Sequence, residues 1–276
     1  MIDSHHHFWK YTSDAYPWIS EDMGALRHDF HVPELEDVLE FTGVDQVISV
    51  QARQSDRENH FLLDQARKSD DLVAGIVGWA PLASPDLRIF LDQYINESLF
   101  KGVREIIQGT PDDQFLDNAD FDEGVRELTH RDLTFDLLIS HDQLPSAIAF
   151  ADRHPNQRIV LDHCGKPPIS ASEFPSAWAR NIRELARRPH VYCKLSGLTT
   201  EVKDPSWDSQ MLQPYFNTIL KAFGPERLMY GSDWPVCLLN TTYPVWLNAV
   251  DDLILALSDD EKKAIHQDTA IRFYQL

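Results

Sequence analysis

The chain opens on Met1-Ile2-Asp3-Ser4-His5-His6-His7-Phe8-Trp9. In an extended strand alternate side chains share one face, so His5 and His7 project together. Two imidazoles on one face can hold a divalent ion or polarise a substrate oxygen. A purification tag is the plain alternative, but tags are usually longer and do not run straight into a Phe-Trp pair. Further polar residues recur at the ends of later apolar runs: His163, then Lys194 and Ser196, then Asp233. Gln51, Trp79 and Arg104 stand at comparable places. Taken singly, any one of these could be a satisfied buried polar group, and for Gln51 and Ser196 that reading weighs equally with the functional one. Taken together, His5, His7, His163 and Asp233 make a mononuclear site for an ion such as zinc, with Asp233 as a ligand or as the base that takes a proton from water. His141 follows the fifth run and is a candidate substrate contact. His28, His31, His60, His130 and His154 fall in loops or helices, where solvated or structural roles prevail.

Such residues converge only if the runs that carry them lie side by side. Eight apolar, β-branched runs read as strands: Ile2–Phe8, Gln46–Gln51, Val73–Trp79, Gly102–Ile107, Thr134–Ile139, Arg158–His163, Val191–Ser196 and Leu228–Asp233. Helical segments separate most of them, the pattern of a parallel sheet. Pro33 opens a predicted helix over Glu34–Phe41 and Pro85 one over Asp86–Tyr94. Ser258 to Glu261 spells an S-x-x-E capping box ahead of a last helix toward Phe273, expected to cover the outside of the barrel. Eight such units in 276 residues, without a linker or low-complexity stretch, predict one (β/α)8 barrel domain over residues 1–276. A doubly wound open sheet is disfavoured because no G-x-G-x-x-G or G-x-x-x-x-G-K-[ST] phosphate loop is present. In a barrel the active site lies at the C-terminal ends of the strands, where these polar residues fall.

Composition narrows the partners. With 44 acidic against 25 basic residues the formal net charge is -19, which argues against a nucleic-acid partner. No signal peptide and no apolar run of spanning length is visible, so no membrane partner and a cytoplasmic location are expected. Cys164, Cys193 and Cys237 are odd in number and lack C-x-x-C spacing, so reduced, buried packing thiols are expected rather than disulfides or a zinc module. Self-association is left open.

Four segments carry a resemblance. Asp3-Ser4-His5-His6-His7-Phe8-Trp9, Val160-Leu161-Asp162-His163-Cys164-Gly165-Lys166-Pro167, Cys193-Lys194-Leu195-Ser196-Gly197-Leu198 and Tyr230-Gly231-Ser232-Asp233-Trp234-Pro235 look like the strand-end motifs of the amidohydrolase superfamily. More narrowly they resemble its branch of sugar lactonases acting on L-fucono- and L-rhamnono-lactones, and the likeness extends to the closing Asp268-Thr269-Ala270-Ile271-Arg272-Phe273-Tyr274. The resemblance implies that Asp233 activates water, that His5, His7 and His163 bind a metal or orient water and carbonyl, and that Lys194 and Arg104 hold substrate oxygens. It implies at most one divalent ion, zinc first, which activity need not require. Two departures stand out. No lysine ends strand four or five to bridge a metal pair, and Arg104-Glu105 stands where the branch often reads Arg-His.

The same residues satisfy what an ester carbonyl needs: an activated water, a positive or hydrogen-bonding group at the oxyanion, and a donor for the leaving alkoxide. Asp233, a metal or the cations Lys194 and Arg104, and His163 supply these in turn. A serine nucleophile is disfavoured because G-x-S-x-G is missing. Trp9, Trp79 and Trp234 offer flat walls for the C–H face of a sugar ring, with core packing as their equal alternative. The expected activity is a carboxylic ester hydrolase opening an aldonolactone, a small-molecule substrate. The competing expectations are a metal-dependent decarboxylase of an unsaturated or aromatic acid and a non-catalytic barrel that binds a small carboxylate.

Overall fold

The computed structural model describes residues 1–170, 172–203 and 206–276. Eight parallel strands follow one another in chain order: β1 (Ile2–His6), β2 (Gln46–Val50), β3 (Val73–Gly78), β4 (Phe100–Ile106), β5 (Thr134–Leu138), β6 (Ile159–Leu161), β7 (Val191–Leu195) and β8 (Leu228–Tyr230). The residues just past β8 close the ring on β1: His7 N donates to Trp234 O at 2.7 Å and Asp233 N donates to His5 O at 2.8 Å. Between the strands run α1 (Val32–Leu39), α2 (Asp56–Lys68), α3 (Leu87–Asp92), α4 (Ala119–His130), α5 (Leu144–Arg153), α6 (Ser176–Leu185) and α7 (Ser209–Phe223), with α8 (Tyr243–Leu253) following β8. This is the predicted (β/α)8 barrel. Among the described residues no helix is long and apolar enough to cross a membrane.

Two apolar layers hold it. Helix residues such as Leu35, Leu62, Val125, Phe150, Ile182, Ile219 and Val250 share one cluster with the outward strand residues Val47, Ile76, Val103, Phe135, Ile159 and Leu228. All are buried, and each such side chain contributes about 1.5–3 kcal/mol relative to exposure. The second cluster is small and lies inside the ring, where Ile2, Ile48, Val50, Val77, Val160 and Met229 meet Ala270, Phe273 and Tyr274.

That inner cluster corrects an expectation. The last helical stretch begins at Ser258, whose hydroxyl and backbone N–H complete the predicted capping box with Glu261. It then passes through a π turn at Ala264–Asp268 into α10 (Thr269–Tyr274), with α9 (Asp259–Lys263) before it. Instead of lying on the outside, α10 plugs the barrel: six strands leave an apolar mouth that Phe273 and Tyr274 fill.

The predicted boundaries also shift. Helices α1 and α3 start or end within a few residues of the expected spans, but β6 and β8 stop short of His163 and Asp233. Those two residues have φ 52° and 57°, in the left-handed region, which a β ladder cannot continue. They therefore stand in turns above the strands. In β1 the register with β2 slips by one residue between Asp3 and His6. This bulge resets the alternation. Asp3 turns to Tyr243 of α8, while His5 and His7 both turn to Asp233.

Candidate active site

Asp233 is the centre of the cluster. Its Oδ1 lies 3.4 Å from His7 Nε2, 3.8 Å from His5 Nε2 and 3.9 Å from His163 Nε2. These separations are longer than hydrogen bonds. They match the spacing of roughly 3.4 Å between donors that sit 2.0–2.1 Å from one tetrahedral ion. Atoms of His5, His7 and Asp233 all fall within 4.8 Å of one another, as do those of His5, Asp162 and His163.

The far sides of the rings are occupied by oriented partners. His7 Nδ1 lies 2.7 Å from Val50 O. A carbonyl only accepts, so Nδ1 carries the proton and Nε2 turns its lone pair toward Asp233. His163 Nδ1 lies 2.9 Å from Ser196 Oγ. Gly197 makes room for that ring: a Cβ there would stand 2.5 Å from His163 Nδ1. Rings held through one nitrogen with the other free are arranged as metal ligands usually are. The donor set therefore fits a divalent ion.

A layer of charge lies beneath. Lys194 Nζ is 2.5 Å from Asp136 Oδ2, 3.2 Å from Asp162 Oδ1 and 3.1 Å from His5 Nδ1. Arg104 Nη1 is 3.2 Å from Asp162 Oδ2 and 3.2 Å from His5 Nε2, and its Nη2 donates to Gln51 O. Tyr274 of the plug donates to Asp136 Oδ2 at 2.9 Å, so the bottom of the barrel is tied to the floor of the site. Arg104 Nε is buried without a partner among the described residues.

Burial and neighbours set the protonation states. Burial lowers His163 to about 4 and His5 well below its ordinary value, with Lys194 adding to the effect at His5. Burial alone would raise Asp233, but His163, His7 and His5 outweigh it and hold the carboxyl below the usual carboxylate range. Burial raises Asp136 to about 6, while Lys194, His5 and Arg104 overcome burial at Asp162 and keep it low. His5 and His163 are thus neutral and Asp233 ionised near pH 7.

Above this cluster opens a cavity of about 390 Å³, a size suited to one small ligand. His7, His163, Asp233 and Arg104 line it, as the sequence suggested. The remaining candidates stand elsewhere. Lys194 is fully buried under His5, so its role in touching substrate is withdrawn. Gln51 is buried and donates to Arg104 O at 3.1 Å, a brace between β2 and β4. Trp79 donates to Glu105 Oε2 at 3.2 Å and packs on Phe90, outside the cavity. Trp9 donates to His28 O at 3.0 Å and Trp234 packs edge-on to Phe30, both in the outer core. His141 is exposed at the start of a short turn, away from the cavity. For Lys194, Gln51 and the three tryptophans a hydrogen bond or apolar neighbour satisfies the side chain where it lies. Cys164, Cys193 and Cys237 are reduced and buried, and burial pushes the thiols of Cys193 and Cys237 up, so none is an available nucleophile.

Several site residues carried no sequence signal of their own. Asp136 lies within an apolar run. Trp18 sits in a long irregular loop, fixed over the cavity by donation from Nε1 to Ala52 O at 2.9 Å. Glu58 shapes the neighbouring loop by accepting from Ala52 N, Arg53 N and Tyr16 Oη. Asp162 and Lys166, both inside the His163 motif, are the exceptions.

Comparison with known proteins agrees with this geometry. The amidohydrolase family model matches residues 2–276. An L-fucono-1,5-lactonase of Burkholderia multivorans is 38% identical over 288 residues, covering 100% of this chain and 96% of that protein. An L-fucono-1,5-lactonase of Burkholderia ambifaria is 35% identical over 100% of this chain and 95% of its own length. A crystal structure of an amidohydrolase from Burkholderia multivorans with bound zinc superposes with a TM-score of 0.95 at 38% identity, covering 100% of this chain and 99% of that one. Matched by the family model over nearly its whole length, and built around a His, His, His and Asp cluster above a parallel barrel, this chain belongs to the amidohydrolase family.

Proposed function

We propose that the protein hydrolyses the lactone of a sugar acid, of the six-membered aldonolactone type, to the free acid. The observation that carries this reading is the cluster of Asp233 with three imidazoles at the floor of a small cavity, in a chain 35–38% identical to two L-fucono-1,5-lactonases over its full length. If a divalent ion is bound, His5, His7, His163 and Asp233 hold it, and it supplies a Lewis acid that makes water more acidic.

The chain's own groups account for the rest. Asp233 is ionised at working pH, so it accepts a proton from water without first having to lose one. Its low proton affinity makes it, once protonated, a strong acid toward the leaving alkoxide. As the water oxygen bonds to the lactone carbonyl carbon, the proton passes to Asp233 Oδ1. Arg104, which lines the cavity, stabilises the carbonyl oxygen as it becomes anionic. When the ring C–O bond breaks, Asp233 returns the proton to the leaving alkoxide. His163 and His7 orient the water through nitrogens that their outer hydrogen bonds leave free.

A panel of aldonolactones followed with a pH indicator, with and without chelator, tests this reading. L-Fucono-1,5-lactone should acidify the medium in proportion to enzyme. No acidification with any aldonolactone, before or after zinc is added, would reject it, and carbon dioxide release from an aromatic acid would favour the decarboxylase.

A further inference from the structure

His163, Cys164, Gly165 and Lys166 have φ values of 52°, 56°, 67° and 47° in succession. Three non-glycine residues in the left-handed region make this a costly turn. It does two things. It aims His163 at Asp233, and it brings Lys166 back to the cavity wall. The proposed hydrolysis uses only the first.

Lys166 Nζ lies 2.9 Å from Oε1 of Glu201, in the short turn Thr199–Glu201 that follows β7. The pair therefore spans the loops after β6 and β7. Both side chains line the cavity and are partly open to it, at 22% and 25% exposure. Much of the remaining wall is apolar, formed by Trp18, Met23, Val236 and Leu239. A hydrated ion pair on a surface contributes little to stability, so this one is placed for something other than the fold.

We infer that Lys166 and Glu201 are specificity-determining residues that bind neighbouring hydroxyls of the substrate ring; this rests on the lactonase reading. A hydroxyl both donates and accepts. The ammonium has N–H groups beyond the one given to Glu201, and the carboxylate has a second oxygen, so two adjacent hydroxyls can bond to the pair at once. A lone lysine would instead recruit an anion, which Glu201 opposes. The pair is partly exposed, so water replaces missing hydroxyls at moderate cost. The discrimination expected is about 10- to 100-fold, as for hydrogen bonds to charged groups, rather than the larger factors of fully buried sites.

The test compares kcat/KM for L-fucono-1,5-lactone with that for δ-valerolactone, the same ring without hydroxyls, in wild type, Lys166→Met, Glu201→Gln and the double variant, with unfolding midpoints measured on each. The expected result is a fall of about 10- to 100-fold in the ratio in either single variant, chiefly through KM of the sugar lactone, with the double variant little worse than the poorer single one. Lys166→Arg, which keeps the charge, should recover part of the ratio and serves if Lys166→Met does not fold. Folded variants whose ratio equals that of wild type, or in which both substrates fall together, overturn the inference while leaving the lactonase reading intact. A wild-type enzyme that uses δ-valerolactone as well as the sugar lactone overturns the inference alone, and one that opens no aldonolactone overturns the lactonase reading and the inference with it.

Discussion

Lys194 Nζ lies 3.1 Å from Nδ1 of His5, through the ring nitrogen that does not face Asp233. The lysine is sealed from the cavity by that ring, yet it neutralises Asp136 and Asp162 directly below the site. Its work is therefore to position His5 and balance buried charge, a different part from holding substrate oxygens.

Lys194→Met should leave Asp136 buried without its cation and Asp162 with Arg104 alone. Breaking a buried pair in this way costs about 3–5 kcal/mol, so urea unfolding should show a loss of that order. Catalysis should weaken on hydroxylated and plain lactones alike. A folded variant with an altered preference between them would return Lys194 to the substrate.

Gly197→Ala would bring a methyl group against the His163 ring, 2.5 Å from Nδ1, and displace it from Ser196. Gly197 also has φ 62°, which alanine adopts only with strain. Loss of an outer partner of this kind typically costs 10- to 100-fold in metal affinity or activity. Zinc titration and kcat/KM should both fall by about that factor, whereas unchanged zinc affinity would separate His163 from the ion.

Zinc should bind to about one equivalent in protein purified without a histidine tag, and His7→Ala should lose it, as expected when one of a few ligands is removed. Elemental analysis decides this. Retention of a full equivalent by His7→Ala would move the ion to the His5, Asp162 and His163 group.

The pH dependence of the metal-free protein follows from His163, which burial lowers from its ordinary 6.5 to about 4. Between those values the unfolded chain binds the extra proton, so stability contributed by the neutral ring is present above pH 6.5 and is lost as pH falls toward 4. The full loss is on the order of 3 kcal/mol. Asp3 and Asp136, both raised to about 6, act with the opposite sign in part of this range. The clean observable is thus the difference between wild type and His163→Asn, which should shrink between pH 7.5 and pH 4.5 in urea unfolding. A difference independent of pH would show that His163 titrates normally.

The barrel was legible because eight β-branched runs alternate with helical stretches, a pattern that few folds accommodate. His7, His163, Asp233 and Arg104 were legible because strand-end position and residue type coincide. The tryptophans misled because an indole beside a site residue packs outward as readily as inward, and Trp9 and Trp234 found carbonyl or aromatic partners in the outer core. Asp136 was hidden because a single carboxylate in an apolar run gives no hint of the lysine from β7 that meets it, and Asp162, though inside the His163 motif, gives no hint of its partners Lys194 and Arg104. The plug was hidden as well: an amphipathic C-terminal helix reads alike whether its apolar face closes the mouth or covers the outside.

Asp233 bears the central claim, and the most direct measurement is the hydrolysis rate of L-fucono-1,5-lactone by wild type and by Asp233→Asn, each checked for folding and zinc content. The asparagine keeps the shape but cannot take the proton, so kcat should fall by at least ~10², the low end for loss of general base catalysis, with little change in unfolding midpoint. Turnover close to wild type in a folded Asp233→Asn enzyme would contradict the account.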